Sequence, residues 1–124
     1  MSYGIWTLHN AIDDEGKNWN DSTLRFISQE ETSEGLRLRG EFTWRLDGIS
    51  LGTESVFGNY IDATRQVILE GQAVKDFTSS ESFRLAVGSY SAVVSTDERS
   101  LVTGRWGSTM ANEAGVPGKW EATR

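Results

Sequence analysis

The sequence predicts an all-β protein, a single eight-stranded antiparallel up-and-down β-barrel spanning residues 1–124. Three observations predict it. Apolar residues recur at every second position along much of the chain, which is the period of a strand with one buried face. Short clusters of turn-forming residues separate these runs. No stretch sustains a helical period, and the only proline is Pro117.

The clearest element is "LRLRGEFTWRL", where Leu36, Leu38, Gly40, Phe42, Trp44 and Leu46 alternate with Arg37, Arg39, Glu41, Thr43 and Arg45. Asp47-Gly48 follows, the dipeptide that suits a two-residue hairpin turn because both central positions need positive φ. Taken in order, the strands expected are Tyr3 to His9, Leu24 to Glu30, Leu36 to Leu46, Ile49 to Ile61, Gln66 to Lys75, Ser82 to Val94, Leu101 to Gly107 and Lys119 to Arg124. The separators "EETSEG", "DG", "DATR", "DFTSSE" and "DERS" are turn-like, and a short helical insert is expected inside "NAIDDEGKNWNDS". Eight strands with mostly short links favour a meander, and closing that meander removes its two edges.

Alternation assigns inner faces to Phe42 and Trp44, to Val102, Gly104 and Trp106, and to Gly118, Trp120 and Ala122. The fourth strand is ambiguous. Strict continuation from Ile49 and Leu51 turns Thr53, Ser55 and Asn59 inward, whereas a bulge at Gly52 turns Val56, Gly58 and Tyr60 inward instead.

Gly-x-Trp occurs at Gly4/Trp6, Gly104/Trp106 and Gly118/Trp120, and the last strand carries Arg124. "GIW" on the first strand with a basic residue ending the last one resembles the calycins, the small barrels that include lipocalins, fatty-acid-binding proteins and avidins. The resemblance implies that Trp6 packs at the closed end of the barrel against a basic side chain, Arg124 or failing that Arg105. It also implies a cavity for a small ligand. The polar set with which avidins hold biotin is not reproduced, so biotin is not implied.

Composition narrows the function classes. With 18 acidic residues against 12 basic ones the formal net charge is -6, which disfavours a nucleic-acid or anionic-membrane surface. No cysteine is present, which removes disulfides, thiolate metal sites and a cysteine nucleophile. There is no long apolar run, and the chain reads as a soluble cytoplasmic protein. His9 is the only histidine, and no G-x-S-x-G or phosphate-binding glycine loop occurs, so no catalytic residue, cofactor or metal is assigned. Asp13, Asp14 and Glu15 lack the spacing of a calcium loop and read as a solvated acidic turn.

Meander order places the links after strands one, three, five and seven at one end, and three of those four are long. Long loops on a rigid scaffold are where binding residues concentrate. The candidate ligand-binding set is therefore Trp19, Phe77 and Met110 around that opening, with Trp44, Tyr60 and Trp106 as wall residues. Trp19 and Phe77 read equally as exposed anchors or as plugs folded back into the barrel. The function expected is a non-catalytic binder of a small amphipathic or apolar ligand. The alternatives are a protein-interaction module whose long-loop end or acidic outer wall docks a protein partner or a second copy of the chain, and a cyclase or isomerase of barrel type.

Overall fold

A computed structural model describes residues 4–77, 85, 87–108 and 117–124. It contains eight strands: β1 (Ile5–Asp13), β2 (Thr23–Glu31), β3 (Gly35–Leu46), β4 (Ile49–Ile61), β5 (Gln66–Asp76), β6 (Gly88–Val94), β7 (Ser100–Ser108) and β8 (Gly118–Thr123). Each pairs antiparallel with the next, and β8 returns to β1 to close the barrel. Among the described residues there is no helix, and so none long and apolar enough to cross a membrane.

The hairpin at Asp47-Gly48 forms as its sequence dictates, with φ of 51° and 84° at the two positions. The helical insert expected within residues 10–22 does not form. Asn10 takes a φ of 49°, which puts a bulge between His9 and Ile12 and lets β1 run on to Asp13. The Asp13 carboxylate then accepts the backbone N–H groups of Glu15 and Lys17, each at 2.9 Å, so the acidic turn caps itself. Such local side-chain bonding competes with helix formation. Of the expected sixth strand, Leu85 and Val87 lie before its first paired residue, Gly88, and residues 82–84 and 86 lie outside the described set.

Bulges decide what faces inward. Between β3 and β4 the register passes from Trp44↔Gly52 to Arg45↔Ser50, leaving Leu51 as the extra residue. Beyond it Gly52, Glu54 and Val56 are buried, while Ser55 and Asn59 are exposed. This is the bulged alternative, so β4 does not present a wall of inward hydroxyls. A bulge in β7 between Leu101 and Gly104 has the same effect there: Leu101 is buried, and Val102, expected inside with Gly104, is only half-buried.

The paired Gly-x-Trp triplets of β7 and β8 have a common explanation. Antiparallel register sets Gly104 opposite Trp120 and Trp106 opposite Gly118. A Cβ on Gly104 would collide with the Trp120 indole, and one on Gly118 with the Trp106 indole. Each tryptophan thus lies over the other strand's glycine, which is how a narrow interior admits two indoles side by side. The third copy works differently. Trp6 is fully buried, and the Arg124 guanidinium lies 5.5 Å from its ring centroid, at the end that carries the short links 32–34, 62–65 and 95–99. That is the arrangement the terminal residues implied, with β1 and β8 paired as it requires.

Candidate functional site

At the other end, where β1, β3, β5 and β7 finish, the interior is built from aromatic rings. Alternation on β3 turns Phe42 and Trp44 inward, and their rings stack at 4.5 Å with planes 14° apart. Tyr90 of β6 lies 4.7 Å from Phe42 and 5.7 Å from Trp44. Trp106 of β7 meets Trp44 edge-on at 6.1 Å, and Trp120 of β8 meets Phe42 in the same way at 6.2 Å. Offset and edge-to-face contacts of this kind match the positive edge of one ring to the negative face of another.

Trp19 closes the cluster from the loop after β1. It is 8% exposed, stands edge-on to Trp44 at 5.8 Å and donates its indole N–H to Asp13 Oδ2 at 3.0 Å. Of its two readings, the plug is the one observed.

Within these rings sits Glu54, with no solvent exposure. Its Oε1 accepts the Trp44 indole N–H at 2.9 Å and the Tyr90 hydroxyl at 2.5 Å, and its Oε2 accepts the Gly88 backbone N–H at 3.0 Å. Gly71 lies against the same carboxyl, where a side chain would collide with Oε2. Burial pushes the Glu54 carboxyl above its ordinary range, and the hydrogen bonds from Tyr90, Gly88 and Trp44 pull it only part of the way back. The Tyr90 hydroxyl is held well above its usual value of 10.0 by burial first, then by the charge of Glu54 and its hydrogen bond to that carboxyl. Chemically, this is a carboxyl that can hold a proton inside an aromatic shell, its oxygens partnered by Trp44, Tyr90 and Gly88.

A raised carboxyl has a signed consequence for stability. The folded state holds the Glu54 proton more tightly than the unfolded chain does, so its contribution is full below the unfolded value near 4.5 and is lost as pH rises through the folded value. Glu54→Gln removes that titration. The difference in Tm, wild type minus variant, is expected to fall as pH is raised from about 4.5 towards neutrality. Paired thermal melts across this range check it, and a rising difference would show the carboxyl to be depressed instead.

The structure brings three of the sequence-derived candidates together: Trp19, Trp44 and Trp106. Tyr60 does not join them. It pairs with Leu36 and Val67 at the short-link end, because a 13-residue strand starting beside the Asp47-Gly48 turn ends at the far side of the barrel. Phe77 is at the expected end and is 52% exposed, its backbone N–H bonded to the Leu51 carbonyl at 2.8 Å. Met110 lies outside the described residues.

Sequence reasoning missed Glu54, Tyr90 and Phe42 as members of the site. Glu54 shares its parity with Gly52 and Val56, so the bulged reading of β4 already carried it inward. Tyr90 alternates with Gly88, Ala92 and Val94, all buried. His9 is on the outer wall, 3.9 Å from Glu121 Oε2. Among the described residues no group of three or more potential metal ligands gathers.

The class defined by fold and site is a closed eight-stranded up-and-down barrel with an aromatic interior around the buried Glu54 carboxyl. Comparison with known proteins finds no matching family model, curated protein or solved structure.

Proposed function

We propose that the protein is a non-catalytic binder of a small amphipathic molecule, taken up at the long-loop end of a calycin-like barrel. The observation that carries this reading is Glu54, a buried carboxyl surrounded by Trp44, Tyr90 and Phe42. Burying an ionisable group is costly unless it is well partnered, and a carboxyl kept inside an aromatic shell supplies the kind of polar point that orients an otherwise apolar ligand. The apolar body of the ligand meets the indoles of Trp44 and the half-buried Trp106, and a hydroxyl or amine head points towards the carboxyl. Trp19, standing at the mouth, is the group the ligand displaces. The packing of Arg124 on Trp6 supports the calycin comparison from the opposite end.

The test is a titration with 2-phenylethanol and 1-octanol followed through tryptophan emission. Saturable changes are expected, weakened at least about tenfold by Trp106→Ala, since loss of one good ring contact at a buried site costs about 1.4 kcal/mol or more. Linear, unsaturable responses to both probes would sink the proposal.

A second reading is favoured by a different observation. Ile49 and Phe77, at the same end, are 65% and 52% exposed, and large exposed apolar side chains at one end suit a protein partner or a second copy of the chain.

A further inference from the structure

We infer that the outer wall over β8 carries a second site, independent of the interior, for a small oxyanion of the carboxylate or phosphate-monoester class. The inference starts from an unusual coincidence of backbone irregularities. On one side of β8, β1 inserts an extra residue so that Asn10 and Ala11 together face Trp120, between the pairs His9↔Glu121 and Ile12↔Lys119. On the other side, β7 does the same, so that Val102 and Thr103 together face Glu121, between Leu101↔Ala122 and Gly104↔Trp120. The two bulges flank the same short stretch of one strand, and a cleft of about 200 Å³ opens there.

Both bulges place a non-glycine residue in the left-handed region, Asn10 at φ 49° and Thr103 at φ 50°. Asparagine tolerates this conformation. A β-branched threonine does not, and such residues persist where surrounding structure holds them, commonly beside binding sites. Both residues line the cleft.

The cleft's charges say what it takes. Arg105 and Lys119 are direct cross-strand partners, both exposed, and both line it. Like charges directly opposite each other destabilise a sheet. One Arg105 N–H group bonds back to the Gly104 carbonyl at 2.9 Å, which holds the guanidinium beside its own strand. An oxyanion between the two cations converts their repulsion into two charge-assisted contacts, with the guanidinium giving a planar fork and the ammonium a point charge. Glu121 also lines the cleft, with His9 3.9 Å from its carboxylate, so negative charge is present as well. That mixture disfavours large polyanions and suits a small anion.

The experiment is a pair of amide-resolved NMR titrations at constant ionic strength, one with inorganic phosphate and one with acetate. Saturable shifts are expected at Asn10, Thr103, Arg105 and Lys119. They should be lost in Arg105→Gln/Lys119→Gln and retained in Arg37→Gln/Arg39→Gln, which removes the same charge from two exposed positions on β3. Saturation by phosphate alone assigns the site to phosphate monoesters, and by acetate alone to carboxylates. Unsaturable shifts with both anions, or equal loss in the two double variants, would overturn the inference by showing only general charge screening.

Discussion

Trp44→Ala is expected to lower the free energy of unfolding by about 3–5 kcal/mol, a large part of the 5–15 kcal/mol that typically holds such a domain together. Two separate losses contribute. Trp44 is 6% exposed and touches Phe42, Tyr90, Trp106 and Trp19, so its removal leaves a cavity bounded by four rings. Its indole N–H is also one of three donors to the buried Glu54 carboxyl, and a buried acceptor deprived of a partner costs about 1–3 kcal/mol on its own. Trp44→Phe separates the two, restoring most of the ring contact and none of the hydrogen bond, and should recover only part of the loss. Urea unfolding measures both variants. A change under about 1 kcal/mol for alanine would mean that Trp44 is not packed as core.

The second large effect is expected at the reciprocal glycine-tryptophan pair. Trp120 is 1% exposed and donates its indole N–H to the Arg105 carbonyl at 3.1 Å, so Trp120→Ala should cost about 3–5 kcal/mol. Gly104→Ala adds a methyl group where the Trp120 indole and carbonyl oxygen already sit, and overpacking of this kind costs about 1–3 kcal/mol. The informative quantity is the combination. With the indole gone, part of the obstruction to the new methyl group goes with it, so the double variant should be less destabilised than the sum of the single ones. The clash with the Trp120 carbonyl remains, so compensation is incomplete. Additive single effects would mean that the glycine and the indole do not share that space.

Strand identity was legible wherever alternation was clean, as from Leu36 to Leu46, and turn chemistry fixed the Asp47-Gly48 hairpin. The pairing of Trp6 with Arg124 was legible through the calycin resemblance of the two terminal strands, which the closed barrel brings together. What escaped was phase. An extra residue such as Leu51 reverses which side chains face inward, and nothing in its side chain announces a bulge. The inner position of Glu54 followed from that reversal, and a charged residue between Thr53 and Ser55 gives no local sign of burial. Asn10 and Thr103 hid two further reversals, the first reading as the start of a loop and the second as an ordinary strand residue. Trp19 was undecided for a related reason. Its inward position depends on Asp13, whose carboxylate is committed to it and to the turn. Tyr60 had the right facing but the wrong end: the strand bounds Ile49 to Ile61 were legible, and their length already sets residue 60 far from the Asp47-Gly48 turn.

The central claim is that the long-loop end is organised around a carboxyl withdrawn from water and held among aromatic rings. The most direct test is a ¹³C NMR titration of the Glu54 side-chain carboxyl, assigned by its disappearance in Glu54→Gln. The account predicts a midpoint clearly above the ordinary glutamate value of about 4.5, with Tyr90 remaining neutral throughout. A midpoint at or below that value would contradict it, because a carboxyl that ionises as readily as in water is not the buried group on which the site is built.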